Sequence, residues 1–179
     1  DERVMAISGN NFQLGKRRTQ DSYYFSRYPH CWGWATWKRA WKYYDVDMSL
    51  WPQARNGGWL KDILDSNRAV RYWDYKFQQT YSGHVDTWDY AWTLACWLQN
   101  GLSILPSTNL VSNIGFDAGG THHVCSRSPF SNIPTSEILF PLKHPSIVVR
   151  DSQADQFTQS YQFGLLARSR RKIRSVLKI

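Results

Sequence analysis

The spacing of apolar and polar residues changes several times along the chain, and each change predicts an element. Residues 3–8 form a short apolar run closed by Gly9-Asn10-Asn11, the pattern of a strand entering a turn. Residues 16–23 are polar and basic and predict a loop. From 23 to 34 the aromatics Tyr23, Tyr24, Phe25, Tyr28, Trp32 and Trp34 crowd together, more than one strand needs, and an aromatic hairpin is expected to wall the next helix. Trp34, Trp37, Trp41 and Tyr44 then fall at i, i+3, i+7 and i+10, which predicts a helix beginning at Trp34. A second helix is predicted over 59–65, with Leu60, Ile63 and Leu64 inward. A third is predicted over about 74–81, where Trp73, Phe77 and Tyr81 repeat every four residues and Gly83 can close the helix in the left-handed conformation. The clearest helix starts at Trp88 or Asp89, carries Ala91, Leu94, Ala95 and Leu98 inward, and ends at Asn100-Gly101. Residues 102–106 and 109–114 read as strands, 115–123 as a glycine-containing loop and 129–145 as irregular. A last helix is expected from about 153, with Phe157, Tyr161 and Leu165 on one stripe.

Composition narrows what such a chain can do. Its 179 residues are 42% hydrophobic and 20% charged, enough to bury a core. Ten Trp and ten Tyr are an excess that suits a core, a sugar cleft or a base-stacking surface. The net charge of +8 raises nucleic acid or an anionic membrane as partners. The charge is uneven, however: Arg168, Arg170, Arg171, Lys172, Arg174 and Lys178 hold six positive charges with no acid among them, leaving about +2 for the rest. Nucleic acid is therefore not the expected partner. Retaining it would need binding that survives deletion of residues 168–179. The basic tail reads as a solvated linker helix or, with Val176, Leu177 and Ile179 beside the charges, as a membrane-surface helix. Cys31, Cys96 and Cys125 form no CxxC pair and no even disulfide set, so a reducing cytoplasm is the expected setting and Cys96 a small core residue. No apolar run approaches the ~18 residues needed to span a bilayer.

Several residues are candidates for chemistry. Asp86 and Asp89 lie where a polar turn becomes a helix. A carboxylate there caps backbone N–H groups and is favoured by the helix dipole, which for an arbitrary Asp is the commoner role. It can also project into a cleft and take a proton from an alcohol, and Asp86 can cap while Asp89 reacts. Trp88, Trp92, Trp32 and Trp34 offer flat apolar surfaces for sugar rings, against core packing as the usual fate of a Trp. His122 and His123 follow Gly119-Gly120-Thr121. Adjacent histidines point apart, so a phosphate contact or a closing loop suits His122 better than a dedicated metal site.

The order of these motifs resembles a glycosyltransferase. Arg3-Val4-Met5-Ala6-Ile7-Ser8-Gly9-Asn10-Asn11-Phe12 is similar to the strand and loop after the metal-binding DxD helix in family 2-like enzymes. The segment from Phe25 through Tyr28-Pro29-His30-Cys31-Trp32-Gly33-Trp34 to Arg39 resembles bacterial, especially cyanobacterial, proteins labelled glycosyltransferase or hemolytic protein-like. Leu110-Val111-Ser112-Asn113-Ile114-Gly115-Phe116, Thr121-His122 and Phe140-Pro141-Leu142-Lys143-His144-Pro145 extend the likeness to about residue 157. A more distant likeness is to the Golgi N-acetylglucosaminyltransferases, where a Trp-Asp-Asp-Trp motif carries the base. Trp88-Asp89-Tyr90-Ala91-Trp92 matches that motif, except that Tyr90 replaces the second Asp and the next Trp lies one residue further on.

The resemblance implies an α/β fold, specifically the acceptor-side, C-terminal half of a GT-A domain over residues 1–150, with a mixed sheet and aromatic-rich helices. A basic amphipathic helical tail or linker would follow over 151–179. It implies inverting transfer from a nucleotide-diphospho-sugar to a glycan or other hydroxyl acceptor, with Asp89 as base and Asp86 as substitute. Asn113, Gly115, Thr121 and His122 would lie in a loop near the nucleotide. A divalent cation, Mn or Mg, would stabilise the leaving diphosphate. The cation's DxD is not found before the first strand, and Asp45-Val46-Asp47 falls in the wrong place. The chain is therefore expected to need a donor half from the same polypeptide, and to neither bind nor turn over a nucleotide sugar strongly alone. A non-catalytic carbohydrate-binding module is the alternative.

Overall fold

The apolar run at the start becomes the core of a mixed sheet. The computed structural model describes residues 1–115 and 130–163. Strand β1 (Val4–Ser8) lies parallel to β4 (Leu102–Pro106), pairing Ile7 with Ile104. Strand β3 (Trp34–Thr36) runs antiparallel on the free side of β1, and β2 (Tyr23–Ser26) antiparallel on β4, giving the order β2-β4-β1-β3. Parallel neighbours require a crossover. Here it carries α1 (Lys38–Trp41), α2 (Trp51–Asn56), α3 (Leu60–Ile63), α4 (Asn67–Tyr81) and α5 (Trp88–Leu98). Helix α6 (Ser152–Gln162) returns to β2. The chain is thus an α/β protein with a four-stranded mixed sheet and helices.

Two sequence expectations fail at Trp34. The helix predicted to start there is a strand followed by the four-residue α1, because β1 has an open edge that β3 fills. Thr36 Oγ1 also donates to the Met5 carbonyl at 2.7 Å. The indoles of Trp34 and Trp41 still meet, with centroids 6.1 Å apart, so the spacing reported a real contact made by another backbone route. Nor do the aromatics of 23–34 form a hairpin: β2 and β3 lie on opposite edges of the sheet.

Other elements differ in extent. Helix α4 begins seven residues before the expected Asp74, at a cap where Ser66 Oγ accepts from the Ala69 N–H at 3.2 Å. Gly83 closes its end at φ +71, as expected. Residues 109–114 form no strand, since Asn109 is committed elsewhere: its Oδ1 accepts from Asn11 N–H at 2.9 Å and its Nδ2 donates to the Val111 carbonyl at 2.8 Å. Helix α2, with Pro52 in its first turn, had no predicted counterpart. Helix α6 fully buries Ala154, Asp155 and Thr158; of the predicted stripe, Phe157 and Tyr161 are half-buried and stack at 5.6 Å, and Leu165 lies outside the described residues.

Helix α5 is the centre of the core. The four-residue stripe predicted for it is too narrow, because every residue from 91 to 97 is buried. A helix apolar on all sides must be covered on all sides. Trp97 meets Trp73 at 4.7 Å and Phe77 at 5.7 Å, while Phe163 packs on Trp73 at 4.9 Å. Two of the buried indole N–H groups at this point find acceptors: Trp97 Nε1 donates to the Arg27 carbonyl at 2.7 Å and Trp73 Nε1 to Gln159 Oε1 at 2.9 Å.

Arg27, just past β2 and 5% exposed, is the main polar junction. Its guanidinium donates to Asp155 Oδ2 at 3.3 Å, to Asp65 Oδ2 at 2.6 Å and to the Ile63 carbonyl. Asp155, 2% exposed, also accepts from Ser26 Oγ at 2.6 Å and from Arg150 at 3.2 Å. The carboxylate therefore fixes α6 to the end of β2. Asp151, at the start of that helix, adds a bond from its N–H to the Phe25 carbonyl at 2.8 Å.

Two buried titratable groups give opposite pH dependences. Burial pushes the Asp155 carboxyl from 3.8 up to about 6, against the lowering effect of the Ser26 hydrogen bond and the Arg27 charge. The folded state then holds the proton more tightly than the unfolded state. Its contribution to stability is complete below pH 4 and is lost as pH rises through about 6. Relative to Asp155→Asn, the wild type should lose about 3 kcal/mol between those limits, read from urea unfolding at each pH. Burial pushes His30 the other way, from 6.5 down to about 3. The unfolded chain binds that proton first, so stability present above pH 6.5 falls as pH drops toward 3. His30→Phe should remove an acid-side slope of about 1.4 kcal/mol per pH unit. Unchanged slopes would show that these two groups are not held as described.

Candidate functional site

Both parallel strands end on the same side of the sheet, the side where ligands bind in open α/β sheets. The loops there are locked together. Asn11 Nδ2 donates to the Pro106 carbonyl at 2.6 Å, joining the loop after β1 to the end of β4, and the Asn11–Asn109 bond repeats the tie. Gly33 turns into β3 at φ +56, and a Cβ there would lie 2.7 Å from Val111 Cγ1. Glycine at 33 thus lets the 109–111 segment lie against the start of the strand that carries Trp34.

The first turn of α5 reaches this end. Thr87, extended at φ −160, is the N-cap residue but makes no side-chain cap bond, and its Oγ1 donates instead to Asp89 Oδ1. Asp89 is partly exposed, in the first helical turn, where the dipole favours a negative charge. Asp86 is exposed in the preceding turn and is not the cap. The Asp89 charge is felt by two neighbours. Burial first and then Asp89 push the Cys31 thiol up to about 11, so it stays protonated at neutral pH. Tyr44 is also raised, by burial and then by Asp45 and Asp89.

Beside Asp89 the indoles form one platform. Trp34 stacks on Trp88 at 5.0 Å with planes 20° apart, and lies 5.9 Å from Trp92. Trp41 meets Trp92 at 5.2 Å and stacks on Tyr44 at 4.4 Å. Exposure separates the roles: Trp88 and Trp41 are each 40% exposed, whereas Trp92 is 1% exposed and can only support them. Trp92 Nε1 finds no acceptor among the described residues. Trp32 belongs to a different cluster, edge-on to Phe12 at 4.9 Å, with Phe130 and Tyr161 nearby. Trp41 and Tyr44 were absent from the predicted site. Their helical spacing with Trp34 was visible, but nothing in the sequence put that face beside Asp89.

Asn113 closes a tight turn, its Oδ1 accepting from the Gly115 N–H at 2.8 Å. Thr121 and His122 lie outside the described residues. Asp45 is also a turn residue, its carboxylate accepting from the Asp47 N–H at 3.0 Å and the Ser49 N–H at 2.7 Å. Among the described residues no group of three or more His, Cys, Asp or Glu can hold a metal ion. They therefore form no all-protein cage for the divalent cation that the resemblance implies. No described helix is long and apolar enough to cross a membrane.

The arrangement joins a carboxylate, held at one oxygen by Thr87, to two partly exposed indoles. A carboxylate can accept a proton from a hydroxyl, and aromatic faces receive the C–H faces of sugar rings. No family model, curated protein or solved structure matches the chain.

Proposed function

We propose that this chain is the acceptor side of a GT-A-type glycosyltransferase that transfers a sugar, with inversion, from a nucleotide-diphospho-sugar to a hydroxyl acceptor. One observation carries the proposal: the partly exposed Asp89 carboxylate stands at the helix start beside a cluster of indoles in which Trp88 and Trp41 remain partly exposed. The motif order around Trp88-Asp89-Tyr90-Ala91-Trp92 supports it. In this mechanism a saccharide acceptor lies on the aromatic platform with one hydroxyl toward Asp89. As that oxygen bonds to the anomeric carbon, the carboxylate takes its proton, and the bond from that carbon to the diphosphate oxygen breaks on the opposite face. The Thr87 hydroxyl fixes one Asp89 oxygen and leaves the other for the acceptor. The donor and its divalent cation must then be held by residues other than those described here.

The alternative is a carbohydrate-binding module without catalysis. The Thr87–Asp89 bond favours it in one respect, because it gives the carboxylate a purely structural task. Asp89→Asn separates the two. It preserves the hydrogen bond from Thr87 but removes the base. In the full-length polypeptide, turnover should fall at least ~100-fold with little change in acceptor or nucleotide affinity. Unaltered turnover would eliminate Asp89 as the base. Saccharide binding without any transfer in the unmutated full-length protein would favour the module.

A further inference from the structure

Tyr44 closes one end of the indole platform. It stacks on Trp41 with ring centroids 4.4 Å apart and planes 10° apart. Trp41 in turn meets Trp92 at 5.2 Å, and Trp92 follows Asp89 by one helical turn of α5, so the two share a face of that helix. A continuous run of rings therefore leads from the Asp89 face of α5 to Tyr44. The Tyr44 ring is half-buried and packs against the main core cluster. Packing accounts for the ring but not for the hydroxyl, since a phenylalanine would fill the same place.

Among the described residues the Tyr44 hydroxyl makes no hydrogen bond, although two carboxylates act on it. Burial first, and then the charges of Asp45 and Asp89, raise it above the ordinary tyrosine range, so the phenol keeps its proton at neutral pH. Neither carboxylate takes that proton as an acceptor. Asp45 accepts from the Asp47 N–H at 3.0 Å and the Ser49 N–H at 2.7 Å. Asp89 gives one oxygen to Thr87. Two cations of the same segment lie on other rings, Arg39 over Trp37 at 4.9 Å and Lys42 over Tyr43 at 4.8 Å. The phenol is thus an O–H donor with no acceptor, within electrostatic reach of Asp89. Aromatic sites fix a ligand's orientation with a small number of such polar groups.

We propose that Tyr44 is a specificity residue for the acceptor: its hydroxyl donates to one oxygen of the saccharide and so selects which other hydroxyl is presented to Asp89. The inference rests on the reading of the platform as a saccharide site, and it narrows the acceptor. A ligand held in this way is a polyhydroxylated ring fixed at two points, at Asp89 through the reacting hydroxyl and at Tyr44 through a second oxygen. A simple alcohol has only the first contact and is a poor acceptor.

Tryptophan fluorescence titration of the whole chain with cellotetraose, chitotetraose and laminaritetraose tests it, comparing wild type with Tyr44→Phe. The variant keeps a ring against Trp41 and loses only the hydroxyl, and near-ultraviolet circular dichroism of the free protein shows that it remains folded. Affinity for the saccharide that wild type binds most tightly should fall roughly 3–10-fold, the worth of one hydrogen bond. Monodeoxy analogues of that saccharide then locate the contact. For one deoxygenated position, wild type and Tyr44→Phe should bind equally, because the bond is already missing. Equal affinity of the two proteins for every saccharide that binds would overturn the role of Tyr44 and leave the platform reading standing. A loss that persists with every monodeoxy analogue would overturn it as well. Wild type that binds none of the saccharides would overturn both.

Discussion

Arg27 holds together elements that would otherwise meet only through apolar contacts. Its side chain bonds Asp155 of α6, the Ile63 carbonyl at the end of α3 and Asp65 beyond it, while its carbonyl accepts from Trp97 in α5. A buried ion pair is a poor source of net stability, because desolvation offsets most of the attraction. What it supplies is position. Removing one partner would leave a buried charge, so the chain is confined to arrangements in which α6, α5 and the end of β2 converge on this point. Aromatic cores can repack in many ways at similar cost. Arg27 removes much of that freedom.

The site inherits its geometry from this restriction. With Trp97 tied to the Arg27 carbonyl, α5 is fixed along its axis, and its first turn carries Asp89 to the end of the sheet where β1 and β4 finish. The edge strand β3 then sets Trp34 against Trp88 and Trp92. Trp92 is spent as a buried support, while Trp88 and Trp41 remain partly exposed. The indoles are therefore already packed on one another without a ligand, which lowers the ordering that a stacking ligand must offset.

Much of this was legible in the sequence. The first strand, the α5 segment and the strand after it were predicted because their apolar runs are bounded by turn residues such as Asn10, Asn100 and Gly101. The left-handed Gly83 was legible for the same reason. Three features were hidden, each by a tertiary cause. Trp34 follows a helical spacing, yet the open edge of β1 makes it a strand. The α5 stripe was drawn too narrowly, since periodicity does not show that a helix is covered on every side. The Asn109 segment looked apolar enough for a strand, but the side-chain amide supplies the bonds a neighbouring strand would have supplied. At the site, the sequence singled out Asp89, Trp88, Trp34 and Trp92 but grouped Trp32 with them. Trp32 packs on Phe12 instead, and no local pattern separates two indoles only two residues apart on different clusters.

Central to this account is the proposal that the indole platform beside Asp89 receives a saccharide. Indole ¹H–¹⁵N spectra of the chain, assigned by Trp→Phe variants and titrated with a panel of neutral β-linked oligosaccharides, test it most directly. The Trp88 and Trp41 signals should move together and saturably, with Trp34 following, while the buried Trp51, Trp73 and Trp97 remain still. Indole signals that stay unmoved across the panel, or that move only for Trp32 or Trp37, would contradict the assignment of this surface as the acceptor site.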